Sequence, residues 1–309
     1  MLIVFNVIFP IFAIILIGYT GRKFGIFNES TTHELNRYVV WLALPAQLFE
    51  FTTNNPFDSD PGIWGFTIAF AMGAFTTFLC VLMVQYKRTG NITIASFDGL
   101  SASYANCGYM GLPLCILALG NKAVAAPLIG TLVVVCGLFS ISVAFIEGKS
   151  HSEKKWYEIL FTILKALGKN PLIISPILGL IWSFTGLGLY QPIRQVFLFL
   201  GASASPCALI AMGLFLAQKS NGKASGLSLL VITKLILQPI LTWLIARYVL
   251  GLSPYWIKAS VLISALPTGT GPFMMAQYYE ADGRVISQVV LITTIASIFT
   301  LSFLVWLMV

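Results

Sequence analysis

The stretch YANCGYMGLPL, Tyr104 to Leu114, sets an asparagine, two glycines and a proline inside a long apolar run. Proline removes a backbone donor and glycine loosens a turn, so a helix here is expected to unwind part-way. ALPTGTGP, Ala265 to Pro272, repeats the pattern later in the chain. Backbone groups left unpaired in hydrocarbon cost several kcal/mol each, so both stretches are expected to face protein or a wet cavity rather than lipid.

The chain around them reads as membrane. Of 309 residues 58% are hydrophobic and 9% charged, where a soluble domain carries about 25% charged residues. An integral, all-α polytopic membrane protein follows. The net charge of +7 is scattered over short connectors rather than gathered into a basic stripe, so the bilayer and not nucleic acid is the expected surroundings. No cationic segment precedes the first apolar run, which is therefore expected to stay as a helix. The five cysteines lie in apolar segments without a CxxC pair or a nearby histidine, so neither disulfides, a metal site nor a cofactor is expected. There is no P-loop to use ATP. An aspartyl protease needs two facing membrane aspartates, and only Asp98 is available, so the chain is not read as an enzyme.

About 20 apolar residues cross the hydrocarbon, and the charged or turn-rich connectors leave ten spans: 2–21, 36–54, 62–85, 93–118, 123–146, 170–187, 194–217, 227–250, 256–279 and 285–308. Connectors after the odd-numbered spans hold Arg22, Lys23, Arg37, Lys87, Arg88, Lys149, Lys154, Lys155, Lys165, Lys169, Lys219, Lys223 and Arg284; the other side holds Lys122, Arg194, Arg247 and Lys258. Because cytoplasmic connectors are enriched in Lys and Arg, both termini are expected outside.

Residues 1–148 and 170–309 are then two five-span halves, joined by a cytoplasmic linker, 149–169, with the spacing of an amphipathic helix. The halves share their breakers. Pro10 answers Pro176, Pro45 in ALPAQL answers Pro206 in SASPCAL, and Pro113 answers Pro272; 68 residues separate Pro45 from Pro113 and 66 separate Pro206 from Pro272. An odd number of spans per half turns the second copy upside down. Inverted repeats with interrupted helices in matching places point to a secondary transporter with a central site.

If broken spans 4 and 9 cross, they expose half-helix N-termini, whose free N–H groups and partial positive charge suit an anion. The expected substrate-binding set is Asn106, Gly108, Gly111, Pro113, Thr268, Thr270, Gly271 and Pro272, with Asn106 giving an amide and the threonines hydroxyls. Pro45, Gln47, Ser203 and Ser205 are candidates for the far wall, or simple kinks. Charges inside spans need a reason. Lys234 and Asp98 fall at similar depth and either neutralise each other or act separately, Lys234 as counter-charge to an anionic substrate and Asp98 as a coupling site. Glu50, near the outer end of span 2, is either a second coupling candidate or a side chain reaching for water.

ALPAQLF at 43–49, NCGYMGLP at 106–113, KLILQP at 234–239 and ALPTGTGP together resemble the auxin efflux carrier family, which contains the plant PIN carriers and bacterial malonate and malate carriers. The resemblance implies a ten-helix crossover fold like that of bile-acid and sodium/proton carriers, working as an elevator. Spans 1, 2, 6 and 7 would be the scaffold, able to form a homodimer, and spans 3–5 and 8–10 the moving part. Asn106, Pro113 and Pro272 match the family's crossover positions and Lys234 its basic position in span 8. The short central connector favours a bacterial inner-membrane carrier of a small dicarboxylate over an auxin-like or monocarboxylate exporter. Coupling to H+, to Na+ or to neither stays open, although no span holds the adjacent aspartates of a dedicated sodium/proton exchanger. A ligand sensor without transport, or a channel, is the rival reading.

Overall fold

A computed structural model describes residues 2–54, 62–150, 161, 168–217, 226–279 and 281–308. The amphipathic helix expected in the linker and the acidic connector after span 2 lie almost wholly outside the described residues. The architecture is helical. α1 is Leu2–Lys23, α2 covers residues 29–54, α3 is Gly62–Thr89, α4 is Ile92–Ser103, α5 is Cys107–Leu119 and α6 is Lys122–Ile146. α7 is Pro171–Phe184, α8 is Gln191–Leu216, α9 is Leu227–Val249, α10 is Pro254–Ser264, α11 is Gly271–Tyr278 and α12 is Arg284–Met308.

Among the described residues six helices, α1, α3, α6, α8, α9 and α12, are long and apolar enough to cross a membrane. The other expected spans fall short for physical reasons. α2 is continuous but opens with the polar turns ESTTHELNRY, and α7 is apolar but only 14 residues long. Spans 4 and 9 are each in two pieces, α4 with α5 and α10 with α11, parted at residues 104–106 and 265–270.

Proline shapes these rods from beside the gaps rather than within them. Pro113 and Pro272 do not sit in the gaps: Pro272 lies in the first turn of the half-helix that follows, where the missing N–H has no intrahelical partner to lose, whereas Pro113 lies inside α5, just after its widened opening turn. Pro10, Pro176 and Pro206 lie inside helices that continue through them. Pro45, Pro113 and Pro239 each follow by two residues a widened π-turn, at Val39–Ala43, Cys107–Gly111 and Thr233–Leu237. A proline has no N–H for the carbonyl four residues back and its ring crowds that carbonyl, and the widened turn just before it shifts the local hydrogen bonds from the fourth to the fifth residue back. Leu44 N–H accordingly reaches Val39 O, and Gln238 N–H reaches Thr233 O.

The helices pack as two groups. In one, α1 lies along α8, and α2 lies along α7 and α8; in the other, α3 packs on α4, α9 and α10, α4 on α6, and α6 on α5. Small residues set the first group's spacing. A Cβ at Gly213 would meet the Ile15 carbonyl oxygen, and one at Gly18 the Ile210 carbonyl oxygen, so the α1 and α8 backbones touch through these two glycines. α4 is buried on every side from Ala95 to Ser103, as is α10 from Ala259 to Ser264, which places the ends of both broken rods deep inside the protein. Outside, large apolar side chains such as Trp64, Phe199, Phe299 and Trp306 are exposed, an arrangement that suits lipid rather than water. The five cysteines carry no disulfide.

Candidate functional site

The two gaps meet. Asn106 N–H donates to Pro267 O at 2.9 Å and Gly269 N–H to Tyr104 O at 3.0 Å, a short antiparallel bridge centred on Ala105 and Thr268. Extended backbone outside a sheet leaves its N–H and C=O groups hungry, and here each gap satisfies the other. Glycine is needed for the fit: a Cβ on Gly271 would lie 2.6 Å from Tyr104 Cζ, and one on Gly269 3.3 Å from Asn106 Cα.

Beyond the bridge the chain turns helical again on both sides, at Cys107 and at Gly271. The first N–H groups of these half-helices have no acceptor within their own helix and carry the positive end of its dipole. Both starts, Gly108 with Tyr109 and Thr270 with Gly271, line a cavity of about 210 Å³. That is room for a small organic molecule, below the size that holds drug-like ligands, about 300–1,000 Å³. Asn106 lines it too, its Nδ2 3.1 Å from Met212 Sδ. Apolar walls come from Val40 and Leu44 of α2 and from Val134, Val135 and Phe139 of α6. A second, more polar cavity of about 410 Å³, with Thr32, His33, Asn36 and Arg37 on its wall, shares Val40, Thr270 and Met274 with the first. Between them stands Tyr109, whose hydroxyl donates to Asn36 Oδ1 at 3.0 Å and has the Thr270 side chain within hydrogen-bonding reach.

Of the residues expected to bind substrate, Asn106, Gly108, Thr270 and Gly271 come together on this wall. The others do not. Thr268 is wholly buried, its hydroxyl given to Ser101 O at 2.7 Å and its N–H to Thr293 Oγ1. Gly111 faces Leu266 and Pro127, while Pro113, inside α5, and Pro272, at the start of α11, lie outside the lining.

Lys234 and Asp98 do not pair. Lys234 Nζ donates to Ser264 O at 2.7 Å, whereas Asp98 Oδ2 accepts from Gln85 Nε2 at 2.5 Å. Nor does Lys234 reach the cavity, being fully buried behind it. The far-wall candidates serve packing between α2, α7 and α8: Pro45 O accepts from Ser175 Oγ, Gln47 faces Gly201, and Ser203 bonds the Tyr38 hydroxyl at 2.7 Å. Neither these three nor Ser205 line the cavity. Glu50 is tied to Arg194 Nε at 3.1 Å across α2 and α8 instead of reaching for water. Among the cavity residues that sequence reasoning missed are Tyr104, Tyr109, Thr131 and Met274. For Tyr109 a signal existed, its place within NCGYMGLP.

The family model for membrane transport proteins matches residues 3–305. The chain belongs to that family. Among relatives of this membrane transport protein, one from Rhizobium meliloti, provisionally named a malonate transporter, is 27% identical over 304 residues, covering 98% of this chain and 95% of its own. An uncharacterized transporter of Methanocaldococcus jannaschii is 23% identical over 98% of both chains. Auxin efflux carrier component 5 of Arabidopsis thaliana is 24% identical over 94% of this chain and 92% of its own. Membership in this family, which takes in auxin efflux carriers, makes the protein a membrane transporter and not an enzyme.

Proposed function

We propose that the protein is a secondary carrier of small organic anions, of which malonate and malate are the type. One observation carries the reading: two interrupted helices bonded gap to gap, both presenting half-helix N-termini, with Asn106 between them, to one small cavity. Exposed N–H groups and aligned dipoles attract a carboxylate without a fixed cation in the site. The apolar walls from α2 and α6 suit the short carbon chain between two carboxylates, and the name of the Rhizobium meliloti relative points to the same cargo.

The architecture of the proposal is ten spans in two inverted five-span halves, in a bacterial inner membrane with both termini outside. The two packing groups suggest how it moves. α1, α2, α7 and α8 would stand still, as a scaffold and dimer face, while the rest carries the bonded gaps and their cargo past it as an elevator.

Purified protein in liposomes, given radiolabelled malonate, malate and monocarboxylates such as indole-3-acetate in turn, tests the reading. Saturable uptake with a dicarboxylate preferred is expected. A preference for the monocarboxylate would reassign the cargo. Thermal stabilisation by malonate without any flux would make the protein a sensor, and a current linear in voltage would make it a channel.

A further inference from the structure

Tyr104 stands where the first gap opens, and its backbone is fixed from both sides. Its N–H donates to Leu100 O at 2.9 Å and its carbonyl accepts from Gly269 N–H at 3.0 Å. The side chain crosses from one broken rod to the other: Cδ1 lies 3.1 Å from the place a Cβ on Gly269 would take, and the hydroxyl oxygen 2.7 Å from the place of one on Gly271. The phenol is thus laid along the second gap with its hydroxyl over the first residue of α11. A buried tyrosine hydroxyl usually finds a hydrogen-bond partner. This one has none among the described residues, although Tyr104 is part-buried and lines the cavity. Thr270, just before α11, is engaged with Tyr109 instead.

Each half-helix start therefore has one side-chain donor to offer. At α5 it is Asn106, which immediately precedes Cys107, is 4% exposed and, among the described residues, spends one amide hydrogen on Met212 Sδ and keeps the second. At α11 it is Tyr104. Half-helix N-termini draw negative charge without counting it. Directional donors do count, because a donor that the ligand fails to meet is left unpaired in the cavity. Two carboxylates on one short chain also repel each other, so a site that holds both has to serve them at separate places. We propose that Tyr104 is the residue that selects for a second carboxylate, the anion lying with one carboxylate at the α5 start beside Asn106 and the other at the α11 start under the Tyr104 hydroxyl; this deepens the carrier reading and rests on it. The bonded gaps then fix how many charges the cargo carries, while the walls from α2 and α6 bound the carbon chain between them. A monocarboxylate leaves the phenol unanswered.

Tyr104→Phe keeps the ring over both glycines and removes the hydroxyl alone. Wild type and variant are compared by the KM for malonate in liposomes, by the inhibition of that uptake by propionate, and by the melting temperature of the purified protein without any anion. Malonate KM is expected to rise about tenfold or more, for the loss of one hydrogen bond to a charged group. The inhibition constant of propionate and the melting temperature are expected to stay where they are. An unchanged malonate KM, or malonate and propionate weakened alike, overturns the assignment of Tyr104 and leaves the carrier reading intact. A variant that melts lower in the absence of anion, or does not fold, does the same, since the hydroxyl would then be serving the protein itself. A wild type that propionate inhibits as strongly as unlabelled malonate does overturns the assignment together with the dicarboxylate cargo. A wild type without malonate flux refutes the carrier reading, and the assignment falls with it.

Discussion

Tyr109→Phe is the perturbation that most directly tests how the site is held. Tyr109 belongs to the half-helix that follows the first gap, and its hydroxyl donates to Asn36 of α2, a member of the other packing group. Phenylalanine keeps the ring against its neighbours and deletes one bond between the groups. The hydroxyl of Thr270, also within reach of that phenol, borders both cavities and can turn to water. Asn36 lines the wider cavity and can do the same. No partner is stranded, so the loss is that of one neutral hydrogen bond, about 0.5–1.5 kcal/mol. If the bond exists only in the arrangement seen here, that arrangement loses ground to its alternative by about 2- to 13-fold, at 1.36 kcal/mol per factor of ten. In a carrier limited by leaving this arrangement, saturated malonate uptake should rise within that range. The double variant with Asn36→Ala should give no more than either single change, because both delete the same contact. Additive effects of the two changes, or an uptake rate indifferent to Tyr109→Phe, would refute the idea that this bond holds the groups together.

Asn106→Ala should abolish saturable uptake while lowering thermal stability little, about 1 kcal/mol or less, since among the described residues its amide is bonded to the thioether of Met212 alone, a weak acceptor; a large loss of stability would make Asn106 structural. Gly271→Ala should destabilise by about 1–3 kcal/mol, because the new methyl lies 2.6 Å from Tyr104 Cζ and pushes the ring toward the cavity. Its malonate KM should rise as well, and an unchanged KM with full stability would show that the Tyr104 ring is not packed as described. Arg194→Ala should change the melting temperature hardly at all, since the ion pair with Glu50 is part-exposed and worth less than about 1 kcal/mol; a transport defect without a stability defect would give Glu50 a part in coupling.

What the sequence made legible was local chemistry. Asparagine, glycine and proline crowded within one apolar run disfavour an unbroken helix, and so both gaps could be read from residue types alone. Their pairing was legible at one remove, from the matching spacing of the halves. Azimuth was not legible. Counting residues from the connectors sets Lys234 and Asp98 at a similar expected depth, but depth does not fix the direction in which a helix turns a side chain, and Lys234 points to the Ser264 carbonyl while Asp98 points to Gln85. The cavity wall escaped for a related reason: Val40, Val134 and Val135 look like any lipid-facing valines until packing turns them inward. The π-turns did leave a mark, a proline two residues downstream in three cases, and a search for that mark would have found them.

The gap-to-gap bridge also limits how such a binding site can be retuned. With each gap serving as the other's ladder, an inserted or deleted residue in either would unzip both, so the pocket floor is frozen in length and register. New ligand preferences must instead be written in the side chains of α2 and α6 that overhang it, at Val40, Leu44, Thr131 and Val135. An engineer seeking another cargo should randomise those four positions and leave the floor alone.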